Sequence, residues 1–146
     1  MKIYFDVCCL NRPFDDQTQD KIHLEAEAVI AILRHIEYDD WLLIDSAIIN
    51  HEISKTPDEE RKARLRLLVK NASIFVEIGQ EIRLRAKQIQ EMGIKAHDAL
   101  HVACAEQGQA DVLLSTDGNL VKIARRNVDE IRVEIENPLV WLQKMV

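Results

Sequence analysis

Apolar positions along the chain fall into short unbroken runs that alternate with stretches spaced three and four residues apart. Residues 2–7 (KIYFDV) mix β-branched and aromatic side chains and read as a strand, followed by a loop at Cys8-Cys9-Leu10-Asn11-Arg12-Pro13. From about 21 to 38, Ile22, Ala26, Val29, Ile30, Leu33 and Ile36 form the stripe of an amphipathic helix. Residues 41–45 (WLLID) read as a second buried strand, and Ser46 as the N-cap of a short helix that carries Glu52. Pro57, with Asp58, Glu59 and Glu60 behind it, opens a helix that runs to about Asn71, because proline suits a first turn and acids suit the positive end of the helix dipole. A strand at 74–78 leads into a helix over 80–91, closed by Gly93. Residues 95–107 (KAHDALHVACAEQ) are a small-residue helix that can pack closely on both sides. A buried strand at 111–115, a helix near 119–126, a strand at 131–135 and a helix at 137–144 complete the chain.

Strands separated by helices predict an α/β fold with a central, mostly parallel sheet, since parallel neighbours need crossover connections. No internal repeat or low-complexity stretch interrupts the pattern, so residues 1–146 are expected to form a single domain. At 47% hydrophobic and 30% charged, the composition is that of a chain able to bury a core without disulfide or metal staples. Three Cys, two of them adjacent, cannot make a paired framework and suit a reducing compartment. The sequence opens with Asp6 where a signal peptide needs its apolar run, and no stretch approaches the roughly 18 apolar residues of a spanning helix. A cytoplasmic protein with no membrane role is expected. The formal charge of −6 is the reverse of what phosphate binding ordinarily favours. Its weight is lessened by a basic cluster at Arg61, Lys62, Arg64, Arg66 and Lys70.

The chemistry lies with the acids. Asp6 lies near the end of the first predicted strand and Asp117 just past the strand at 111–115, at the carboxyl ends where open α/β sheets bind ligands. Asp98 interrupts a helix of small apolar residues, where an ionised carboxylate costs several kcal/mol unless something positive meets it. Glu52 follows the second strand on a helix otherwise rich in Ile. Against this, helix acids are usually solvated, and Asp117 before Gly118 suits a simple turn.

The order and context of these residues resemble the PIN-domain nucleases, and in particular the small bacterial VapC-type toxins. An N-terminal strand ends in Asp (IYFDVCCLN), a Glu follows the second strand (INHEIS), a helix carries Asp before small residues (KAHDALHVACA), and a late strand ends in hydroxyls and Asp (LLSTDGNL). The resemblance covers nearly the whole chain and implies a three-layer fold. It implies that Asp6, Glu52, Asp98 and Asp117 hold Mg²⁺ or Mn²⁺, that Thr116 is the hydroxyl before the last acid, and that Asn119 is an auxiliary group. Hard divalent ions prefer such carboxylate oxygens. The substrate it implies is a phosphodiester in RNA, and the partners are a cognate antitoxin protein and a second copy of the chain. Arg12, Lys95, Arg125 and Arg126 are candidates for phosphate contact.

Three other readings compete. His97 and His101 stand at i and i+4 with Asp98 between them, an imperfect likeness to zinc hydrolases that lacks a third ligand. A haloacid-dehalogenase-like phosphatase needs a second Asp two residues after the first, where Cys8 stands. The adjacent Cys8 and Cys9 read as small buried fillers. A non-catalytic PIN-like module that binds metal or a partner is the alternative from a different class.

Overall fold

The computed structural model describes every residue from Met1 to Val146. Five strands form one sheet: β1 (Lys2–Phe5), β2 (Leu42–Ser46), β3 (Ile74–Val76), β4 (Val112–Leu114) and β5 (Glu134–Glu136). Their order is β3-β2-β1-β4-β5, and every neighbouring pair is parallel. Eight α-helices flank it: α1 (Val7–Asn11), α2 (Asp20–Tyr38), α3 (Ala47–Ser54), α4 (Glu59–Val69), α5 (Gln80–Gln90), α6 (Ala96–Gln107), α7 (Gly118–Arg126) and α8 (Pro138–Met145). The expected α/β class and parallel sheet are therefore present, and none of the helices is long and apolar enough to cross a membrane.

Ile3, Tyr4 and Phe5 of the central strand are fully buried, as a parallel strand covered on both faces requires. The adjoining Leu43, Ile44, Val112, Leu113 and Leu114 continue that layer. Helix α2 packs on α8 and α5 packs on α6.

Most element boundaries lie within two residues of the sequence reading, and the departures have local causes. A helix, α1, replaces the loop expected after the first strand, because the Asp6 carboxylate caps it by accepting from the Cys9 backbone N–H at 2.8 Å. Pro57 lies outside α4, whose N-cap is Asp58. The Ile131, Val133, Ile135 alternation reads as a strand from 131, but β5 begins at Glu134, because its partner β4 begins at Val112, opposite that residue. Ile131 and Val133 are still buried without ladder bonds. Gly93 supplies the left-handed turn beyond α5, with φ of 98°. Of the two adjacent cysteines only Cys9 is a buried filler; Cys8 is exposed, since successive residues of a short helix face different ways.

Trp141 anchors α8. Its side chain is fully buried, and its ring meets Trp41 edge-on at 5.3 Å between centroids, with His35 stacked on the other tryptophan at 4.4 Å. The indole N–H is buried without a partner. Trp141→Ala is expected to lower unfolding free energy by about 3–5 kcal/mol. Trp141→Phe, which also removes the orphaned donor, should lose about 1 kcal/mol; urea melts of both variants test the difference.

Candidate metal centre at the carboxyl ends of the strands

The register sets Phe5 beside Leu114 and Tyr4 beside Ile44, so β1, β2 and β4 end at nearly one level. Each then turns into a helix whose N-cap stands at that level: Asp6 for α1, Ser46 for α3 and Asp117 for α7. Backbone N–H groups at these three starts favour negative charge in the space they share.

Each acid from the sequence reading has a definable place around that space. Asp6 is buried, and its Oδ1 accepts from the Cys9 N–H and from the Cys8 thiol at 3.0 Å. Asp117 is partly exposed, and its Oδ1 accepts from the N–H groups of Asn119 at 2.9 Å and Leu120 at 3.4 Å. Glu52 uses Oε1 to accept from His101 Nε2 at 2.7 Å, leaving Oε2 without a hydrogen bond. Asp98, in the first turn of α6, accepts no hydrogen bond and pairs with no Lys or Arg.

The charges of the four acids act on one another. Burial raises the Asp98 pKa above its ordinary 3.8, and the charges of Asp6, Asp117 and Glu52 push the same way, with His101 opposing them. Burial also raises Asp6, partly offset by hydrogen bonds from Cys8, Ser115 and Cys9. Although Cys8 as a whole is exposed, its sulfur is turned toward Asp6, and desolvation there and the Asp6 charge push the thiol up to about 12, so it serves as a donor rather than a nucleophile.

The donor set fits a hard divalent cation. It is made of carboxylate oxygens, with an unanchored oxygen on Glu52 and Asp117 and a whole carboxylate on Asp98. No three of the His, Cys, Asp and Glu side chains stand close enough to close a coordination shell by themselves. The zinc alternative fails on geometry. His101 is buried with both ring nitrogens engaged, while His97 is exposed, its Nδ1 3.9 Å from Glu52.

A family model for the PIN domain matches residues 3–126. The chain belongs to the PIN domain family. Among solved structures, the PIN chain here is similar to the crystal structure of VapBC2 from Rickettsia felis bound to a DNA fragment from their promoter. That match has a TM-score of 0.60 and 13% identity, over 94% of this chain and 98% of the other. It is also similar to a structure of VapBC-1 from nontypeable Haemophilus influenzae, with a TM-score of 0.57, 18% identity and the same coverage. At these identities the likeness shows the PIN fold alone. A comparison with curated proteins gave no match.

Of the polar neighbours of the acids, Ser115 escaped the sequence reading, whereas Thr116 and Asn119 are its auxiliary candidates. Ser115 accepts from the Asp117 N–H at 3.0 Å and lies against Asp6, while Thr116 donates to Cys8 at 3.3 Å. Asn119, an auxiliary candidate, is exposed and lines a small pocket with Lys95, Asp98 and Asp117. The suggested phosphate contacts divide. Arg12 is held by Glu25 and Asp15, and Arg125 by Glu136, whereas Lys95 and Arg126 are in no ion pair. The basic cluster on α4 is similarly reduced. Arg61 bonds Asn11, Asp15 and the Phe14 carbonyl, Lys62 pairs with Glu59 and Arg64 with Glu60.

A carboxyl with a raised folded-state pKa holds its proton longer in the folded chain than in the unfolded one. Its contribution to stability is complete below the unfolded pKa and is lost as pH rises through the folded one. In EDTA at pH 7, Asp98→Asn is therefore expected to stabilise the protein by about 0.5 kcal/mol, since solvent screens the repulsion at this half-buried carboxyl. The gap from the native chain should shrink as pH falls toward the ordinary carboxylate range; urea melts between pH 7 and pH 4.5 give the slope.

Proposed function

We propose that this PIN-domain protein is a metal-dependent endoribonuclease, with Asp6, Glu52, Asp98 and Asp117 as direct or water-bridged holders of Mg²⁺ or Mn²⁺. The observation that carries the reading is Asp98, an unpaired carboxylate in the first turn of α6 that is repelled by the other three acids. Such a cluster disfavours its own ionised state and leaves a strong demand for a cation. When bound, the ion supplies positive charge against the phosphodiester and acidity to a water molecule.

The chain's own residues would do the rest. The backbone N–H groups that start α1 and α7 hold Asp6 and Asp117 in fixed orientations. Ser115 steadies both acids from beneath. Lys95 and Asn119 line a pocket with Asp98 and Asp117 and would meet substrate oxygens there. Without a cation the crevice repels phosphate, so the acidic net charge is compatible with RNA binding only in the metal-loaded state.

The likeness to VapBC structures supports a role as the toxin component of a toxin-antitoxin pair, with an antitoxin protein as partner; a homodimer as the working form is carried over from the family resemblance. Three free thiols support a cytoplasmic setting.

Purified protein, freed of bound partner, is expected to cut a mixed RNA substrate with Mn²⁺ or Mg²⁺ and to stop in EDTA. Asp6→Asn and Asp98→Asn should each lower the rate by about a hundredfold or more. A folded protein that binds the metal but cuts nothing would favour the non-catalytic module.

A further inference from the structure

Beneath Glu52 runs a chain of side-chain hydrogen bonds that the metal-holding acids do not themselves require. Ser46 Oγ and Tyr4 Oη are 2.8 Å apart, Tyr4 Oη and His101 Nδ1 are 2.7 Å apart, and His101 Nε2 lies 2.7 Å from Glu52 Oε1. The Ser46 hydroxyl also accepts from the Ile49 N–H at 3.2 Å, which ties it to the start of α3, the helix that carries Glu52. Tyr4 is fully buried, as is Ser46, and His101 is 2% exposed.

One donor in the run is fixed: Glu52 as a carboxylate can only accept, so His101 Nε2 carries a proton. The other ring nitrogen shares a hydrogen bond with the Tyr4 hydroxyl, which shares one with the Ser46 hydroxyl. Every polar atom in the run is satisfied, and the imidazole cannot rotate without breaking two short bonds. His101 also follows Asp98 by three residues on α6, on the same helix face.

We infer that His101 is a positioning residue for the metal centre: with Tyr4 and Ser46 it fixes one oxygen of Glu52 so that the other is presented to the cation. This rests on the reading of Glu52 as a metal-holding carboxylate. A histidine in a packed α/β core could equally be present only to fill space and satisfy the tyrosine. The two roles differ in what they leave behind when the N–H is removed. A filler affects stability alone, whereas a positioning group alters metal affinity in molecules that remain folded.

Mn²⁺ binding to the native chain and to three variants, followed by the electron paramagnetic resonance of free Mn²⁺ with thermal melts alongside, separates the two. His101→Leu keeps an apolar shape but has no donor. His101→Gln keeps both a donor and an acceptor. Tyr4→Phe removes only the hydroxyl behind the imidazole and guards against a leucine variant that does not fold. The expected result is Mn²⁺ affinity lowered about tenfold or more in His101→Leu, a smaller loss in Tyr4→Phe, and most of the native affinity in His101→Gln. Lower melting temperatures with unchanged Mn²⁺ affinity in Tyr4→Phe and in folded His101→Leu would overturn the inference while leaving the metal centre intact. Failure of the native chain itself to bind Mn²⁺ would overturn the metal reading and this inference with it.

Discussion

Five parallel strands make the chain turn at one end of the sheet after each of them, and three of those turns, after Phe5, Ser46 and Leu114, stand side by side on the neighbouring strands β1, β2 and β4. At each turn a helix must start, and each start needs an acceptor for its unpaired N–H groups. Asp6, Ser46 and Asp117 are those acceptors. The residues that make the fold's turns possible are thereby the ones that furnish the crevice. A capping carboxylate spends one oxygen on the helix, and in Asp117 the other is free of hydrogen bonds.

Gathering carboxylates in this way is unfavourable on its own. Asp6 is buried, Asp98 feels three like charges, and both are driven toward their protonated forms. The helix N-termini, the Cys8 thiol, Ser115 and His101 offset part of that repulsion without removing it, because none of them is a lysine or arginine aimed at Asp98. Elsewhere most buried acids are paired: Glu25 is held by Arg12, Glu106 by Arg85 and Glu136 by Arg125, while Asp45, also raised by burial, is met by the Asn50 amide and the Ser46 N–H. Asp98 has neither a cation nor a hydrogen-bond donor, and a site that must accept an ion has a reason to be built so.

The sheet and most helices were readable from hydrophobic spacing, because β1, β2 and β4 are continuous apolar runs and α2 carries a clear stripe. What escaped was set by contacts distant in sequence. The start of β5 depends on where β4 can pair with it, and α1 exists because one carboxylate caps it; neither shows in a local window. The acids stood out as carboxylates at element boundaries or in apolar company. His101 and Tyr4, 97 residues apart in the chain, could not be joined until the fold brought α6 over β1. The basic cluster on α4 lessens the weight of the acidic net charge in the sequence, yet three of its members are paired with acids, since sequence shows charges but not their partners.

The account stands on the four acids sharing one cation site. Paramagnetic broadening of backbone amide resonances on titration with Mn²⁺ tests that most directly, because broadening falls steeply with distance from the ion. Broadening confined to amides around Asp6, Glu52, Asp98 and Asp117, and absent from the face that carries Arg66 and Lys70, is the predicted result. Broadening centred on another part of the chain, or none at concentrations that saturate ordinary divalent sites, would contradict it.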